Sequence, residues 1–195
     1  MEILIQSAAD GSVTARPFGR WTAVVAATLL VLAGARACSS AQPVDEYEVK
    51  AAFLARFASF VEWPADSATG PLCIGIVGED PFGRILDQAV SAKNLLGRPV
   101  TIKRLRANQR WEGCQVLFLS ASEAKRIPSI LSRVAPGTLT VGESPGFCES
   151  GGVIAFEMVE NLVRFEINLE AAERAQLKIS SKLISVARVA RREGR

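Results

Sequence analysis

The chain has 195 residues, of which 49% are hydrophobic, and a formal net charge of +3. This size suits one globular domain once an apolar leader is set aside, and so small a charge gives no footing for nucleic acid. There is no histidine, which excludes a Ser-His-Asp or Cys-His nucleophile, an imidazole metal site and a histidine acid or base.

The leader is centred on Trp21 to Leu32 (WTAVVAATLLVL), preceded by Arg16 and Arg20 and followed by Ala35-Arg36-Ala37, a small-x-small cleavage pattern. The run is too short for a comfortable membrane span and predicts a signal peptide over residues 1–37, with cleavage after 37 or 41. An uncleaved anchor is the alternative, because the stretch before Arg16 is long and carries Glu2 and Asp10. Residues 42–195 are then a single domain. Four cysteines, Cys38, Cys73, Cys114 and Cys148, have no CxxC spacing and in an exported chain read first as disulfide partners.

Asp45 is a candidate N-cap for a helix that places Val49, Ala52, Phe53, Phe57, Phe60 and Val61 on one stripe and ends before Pro64. Trp63 at its exit reads as a core plug or an exposed recognition aromatic. Leu72 to Val77 is an apolar strand, and Gly78-Glu79-Asp80-Pro81 turns into a helix over 82–90. The turn has neither GxGxxG nor GxxxxGK spacing, and its two acids would repel a phosphate. Pro99 to Leu105 alternates imperfectly around Lys103 and Arg104, as suits an edge strand. Gln115 to Ser120 is apolar and central in character. A helix over 122–134, with Pro128 in its first turns, leads to a fourth strand over 138–141.

Alternation of strands and helices from Leu72 to Val141 predicts a mostly parallel, flavodoxin-like α/β sheet with right-handed crossovers and strand order 2-1-3-4. In that order the strands beginning near Leu72 and Gln115 are neighbours. Cys73 and Cys114 then stand side by side at their starting ends, at disulfide distance. The loop 142–150 contains Phe147, expected to be exposed among turn-formers, and Cys148, which either pairs with Cys38 or stays a free thiol.

Gly151 to Leu169 reads as an antiparallel hairpin turning at Glu160-Asn161. Met158 faces Val163, Phe156 faces Phe165 and Ile154 faces Ile167 on an apolar side. Glu157 faces Arg164 and Ala155 faces Glu166 on a polar side. Asn168 can cap a helix over 169–176, and a last helix follows Ser180 or Ser181, with Leu183, Ile184, Val186, Ala187 and Val189 supplying its core face.

EYEVKAAFLARFASFVEWP at 46–64, IGIVGEDPFG at 74–83, and GGVIAF with VRFEINLEAAERAQLKISSKL at 151–183 occur in an order that resembles the YfiR family of periplasmic proteins. The resemblance spans nearly the whole chain after the leader. It implies a non-enzymatic periplasmic regulator without cofactor or metal. Such a regulator binds the periplasmic domain of a YfiN-like inner-membrane diguanylate cyclase and lowers cyclic di-GMP and biofilm formation. A YfiB-like outer-membrane lipoprotein would sequester it. Cys73 and Cys114 match the family's structural disulfide. Cys148 matches a redox-linked cysteine whose partner position is Ala155 here. Glu166, on the exposed hairpin face, and Ile154 fall in the region that resembles the cyclase-binding surface, with Phe147 and Trp63 as further candidate contacts. The competing reading is a small-ligand sensor with its crevice near Gly78 to Asp80, or between the first helix and the hairpin. A hydrolase resting on Glu79 or Asp80 lacks a visible nucleophile and base. The sequence does not decide the oligomeric state, a homodimer included.

Overall fold

The apolar run Leu72–Val77 forms β2, which is buried along its whole length. In the computed structural model, residues 45–64, 70–91 and 97–190 are described, and all fall in one compact unit. The leader and Cys38 lie outside the described residues. β2 sits between two parallel neighbours, β3 (Val100–Leu105) and β4 (Val116–Leu119), and β5 (Leu139–Gly142) extends the parallel set from β4. The first four long strands therefore take the expected 2-1-3-4 order. Lys103 and Arg104 lie on the outer strand β3, where charge discourages further pairing.

Beyond β5 the sheet continues through β6 (Ile154–Val159), parallel to β5, and β7 (Leu162–Ile167), antiparallel to β6. Glu160 and Asn161 have φ of 51° and 61°, the two left-handed positions of a type I′ turn. The pairs Ile154–Ile167, Ala155–Glu166, Phe156–Phe165, Glu157–Arg164 and Met158–Val163 all form. The last strand, β9 (Arg188–Val189), runs parallel to β7 at Glu166 and Ile167. The expected final helix is only α5 (Ser181–Ile184), after which the chain turns into β9, leaving Val186 and Val189 exposed.

On one side of the sheet lies α1 (Glu46–Phe57), capped by Asp45 through the Tyr47 amide, with α2 (Arg84–Ser91) beside it. α1 ends well before Pro64, passing through a 3₁₀ turn (Ala58–Phe60) into β1 (Val61–Glu62), which pairs with β8 (Lys178–Ile179). Its buried face is Ala51, Leu54, Ala55 and Phe57, whereas Ala52 is exposed. Small residues let the helix approach the sheet closely, and Phe53 and Phe57 lean onto the hairpin. Phe53 and Phe57 meet Phe156 and Phe165 at centroid separations of 5.2 to 6.5 Å, so the space between the first helix and the hairpin is packed with aromatic rings.

Lys50, buried on α1, donates to Glu143 Oε2 at 2.8 Å and also contacts Glu46. Glu143 follows β5, and its other oxygen accepts from the Ala121 amide at 3.3 Å. Burial alone would lower the Lys50 pKa, but the hydrogen bonds and charges of Glu143 and Glu46 outweigh it and raise the value. This ion pair fastens α1 to the carboxyl end of the sheet.

The opposite side of the sheet packs Val77, Leu117, Leu119 and Ala155 under Ile127, Ile130, Trp111 and Phe147. Here a 3₁₀ segment (Ala121–Arg126), capped by Ser120, precedes the short α3 (Ile127–Leu131), with Pro128 in its first turn. Phe147, expected outside, is 1% exposed. Its ring is clasped by two glycines: a β-carbon on Gly142 would stand 2.4 Å from the ring, and one on Gly152 2.1 Å. Neither glycine has a positive φ, so the space itself is what an alanine would violate. Gly152→Ala is therefore expected to cost about 1–3 kcal/mol by overpacking, measured by urea unfolding. The cost should fall sharply in the Gly152→Ala, Phe147→Ala double variant relative to Phe147→Ala alone. Equal costs in both backgrounds would mean that the ring does not occupy this slot.

Candidate functional site

The hairpin is buried at its root and exposed at its tip. Along β6 burial ends after Phe156, and along β7 it begins only at Phe165. Met158, Val159 and Leu162, at 45%, 44% and 53% exposure, form an apolar tip around the Glu160-Asn161 turn. Register places Val159 and Leu162 opposite one another, next to the Glu157–Arg164 pair. Exposed Val186 precedes β9, the strand that flanks β7.

Ile154 is fully buried within the core shared with α1 and presents nothing to a partner. Glu166 also departs from expectation: it is 7% exposed. The reason is β9, whose Arg188 lies over it with the guanidinium 3.5 Å from Glu166 Oε1 and 2.9 Å from Glu157 Oε1. Burial pushes the Glu166 pKa up, Arg188 opposes this, and the charges of Glu157 and Glu149 add to the rise. Trp63 is half-buried, its indole N–H donating to the Ala58 carbonyl at 3.4 Å, a plug at the end of α1 with one edge to solvent.

Cys148 lies beneath this surface. It is fully buried, with Sγ 3.8 Å from the Glu166 carbonyl and 3.9 Å from that of Val153. Burial, aided by the Glu166 and Glu149 charges, pushes its thiol up to about 12. Burial so complete keeps the thiol protonated and away from solvent, conditions that lower thiol reactivity. Asn168 ties the Cys148 loop to the hairpin. Its Nδ2 donates to the Cys148 carbonyl at 2.8 Å, while its Oδ1 accepts from the Ala171 amide and caps α4 (Leu169–Arg174). The capping role was readable from sequence and the second bond was not.

Cys73 and Cys114 are neighbours at the amino ends of β2 and β4, as the strand order predicts. In this structure they are neighbouring thiols, each the other's hydrogen-bond partner. The fold sets their proximity, and the redox compartment sets whether a disulfide closes. The hydrogen bond from Cys114, helped by the charge of Lys103 and opposed by burial, pulls Cys73 down to about 7, and the same bond pushes Cys114 up.

The crevice expected near Gly78 to Asp80 is filled. Ser122 donates no space to a ligand there: its Oγ accepts from the Glu79 amide at 3.0 Å, and a β-carbon on Gly78 would stand 2.4 Å from it. Asp80 is tied to Arg104 at 2.6 Å. Among the described residues, no group of three or more Cys, Asp or Glu is placed to hold a metal ion, and no helix is long and apolar enough to cross a membrane.

Residues 47–188 match the YfiR/HmsC-like family. The chain belongs to that family. YfiR/HmsC-like proteins are periplasmic regulators of diguanylate cyclases, regulatory rather than catalytic. No curated protein matches the chain. Among solved structures, a conserved domain protein from Vibrio cholerae O1 biovar El Tor str. N16961 is similar, with a TM-score of 0.54 and 12% identity. The match covers 75% of this chain and 60% of that one. At that identity the likeness is one of fold alone.

Among residues that the family resemblance did not single out, Arg188 and the tip residues Met158, Val159 and Leu162 define the hairpin surface. The tip had a sequence signal: the register puts Val159 and Leu162 on the otherwise polar side of the hairpin. Arg188 had none, because a two-residue strand carries no periodicity.

Glu166 also yields a pH dependence. Its folded pKa is raised, so its contribution to stability is fully present below the unfolded value of about 4.3 and is lost as pH rises through the folded value. Glu166→Gln keeps the size and removes the charge. Relative to wild type, the variant should become progressively more stable as pH rises from about 4 towards neutrality, measured by thermal unfolding across a pH series. A difference that does not change with pH would mean that Glu166 ionises as freely in the folded protein as in the unfolded chain.

Proposed function

We propose that this protein is a periplasmic, non-enzymatic regulator that binds the periplasmic domain of an inner-membrane diguanylate cyclase and lowers cyclic di-GMP. The apolar tip and outer face of the β6–β7 hairpin form the contact. The observation that carries the reading is the exposed cluster Met158, Val159 and Leu162, projecting from a strand pair whose root is locked in the core, in a chain of the YfiR/HmsC-like family. Single exposed apolar residues are unremarkable, but three together on one protruding turn suit a protein interface. Arg164 and Glu157 beside them would supply a polar rim. Glu166 contributes from beneath: with Glu157 it holds Arg188, and so the β9 border of the surface, in place.

Two further features support this reading. The signal-like leader directs export, and two thiols held in contact at adjacent strand ends suit a compartment where disulfides persist. A YfiB-like outer-membrane lipoprotein competing for the same surface would relieve the inhibition.

The test is a deletion strain complemented with wild type or with a Met158→Asp, Leu162→Asp variant. Cellular cyclic di-GMP should rise on deletion, return with wild type and stay high with the variant, which should also recover no cyclase in a membrane pull-down. Both sites are exposed, so its melting temperature should match wild type. Full inhibition by the folded variant would place the interface elsewhere, and cyclic di-GMP unmoved by deletion would refute the cyclase reading itself.

A further inference from the structure

An opening not accounted for above lies at the other end of the sheet from the Lys50–Glu143 pair, beside the amino end of β5. It is a cavity of about 160 Å³ between the end of α3, the start of β5 and α4. Val134, Pro136, Val153 and Ala171 provide apolar wall. Three polar side chains line it, and the hydroxyl of one, Thr140, already accepts from the Val153 amide at 3.0 Å. The Thr138 hydroxyl forms no side-chain hydrogen bond among the described residues, and Arg174 brings a guanidinium whose ion contact with Glu170 is 3.7 Å, too long for a hydrogen bond. No acidic side chain lines the cavity.

We propose that this cavity is a binding site for a small organic carboxylate with a short apolar body, the carboxylate on Arg174 and Thr138 and the body against Val134, Val153 and Ala171. Arginine's planar fork matches a carboxylate, and a threonine hydroxyl supplies a further donor. The volume is close to the roughly 150 Å³ that accepts benzene, so a branched chain of a few carbons fits within it. The site is independent of the hairpin tip and of the partner that binds there.

The test is a titration of the ¹⁵N-labelled protein with sodium isobutyrate at constant ionic strength, with isobutyramide as the uncharged counterpart. Amide shifts at Gly151, Val153, Ala171 and Ala175 should saturate with the acid at a Kd of about 1 mM, as expected for so small a molecule. The amide should produce no saturating change. Loss of a hydrogen bond to a charged group in Arg174→Gln should weaken the acid by roughly tenfold or more. Thr138→Val should weaken it less, and both variants should keep the wild-type spectrum elsewhere. Equal binding of acid and amide, unaltered affinity in Arg174→Gln, or no saturating shift at these residues up to about 20 mM acid, well above that Kd, would each overturn the proposal.

Discussion

Four phenylalanine rings decide where the hairpin sits. Phe53 and Phe57 project from α1 and close on Phe156 and Phe165, with the Phe57–Phe165 pair in edge contact at 5.2 Å. Because side chains alternate along a strand, a register slip of one residue would turn Phe165 and Ile167 away from α1 and replace them with Arg164 and Glu166. The type I′ turn at Glu160-Asn161 and this aromatic cluster therefore specify the same register from opposite ends. With the root so fixed, the outer residues of both strands extend past the core, and Met158, Val159 and Leu162 stand clear as an apolar tip. The Lys50–Glu143 pair, joining α1 to the end of β5, keeps the helix from sliding along the sheet and so holds the two phenylalanines over the hairpin.

Much of this architecture is legible in the sequence because its signals are local. The central strands β2 and β4 are continuous apolar runs, the edge strand carries Lys103 and Arg104, and the hairpin announces itself by alternation around a turn pair that tolerates positive φ. The capping roles of Asp45 and Asn168 follow from residue type and position. What is not legible depends on residues far apart in the chain. Phe147 sits among turn-formers and reads as exposed, but Gly142 and Gly152 leave room for its ring only when β5 and β6 lie side by side. Glu166 reads as solvent-facing until the short β9 brings Arg188 across it. The buried face of α1 is misjudged for a related reason. Large aromatics dominate a helical projection, yet Ala51, Leu54 and Ala55 make the close approach to the sheet, and the phenylalanines reach sideways.

The cysteines separate along the same lines. Cys73 and Cys114 are brought together by strand order, a property of topology that the alternating βα pattern already implies. Cys148 is enclosed by Glu166, Val153 and the loop that carries it, with Ala155 where a second thiol would be needed for a disulfide. A disulfide from Cys148 to position 155 is ruled out by the alanine there, and burial keeps the Cys148 thiol protonated. Polar residues of the hairpin serve mainly to fasten its neighbours, Glu157 and Glu166 through Arg188 and Asn168 through the Cys148 carbonyl.

The central claim is that the hairpin tip touches a membrane-anchored partner. Site-specific photocrosslinking in living cells reads this contact directly, with the crosslinking residue placed at Leu162 and, as a control, at exposed Arg110 in the loop between β3 and β4. The account predicts a crosslinked species at Leu162 that contains a diguanylate cyclase and is absent at Arg110. A cyclase adduct at Arg110 with none at Leu162 would contradict it.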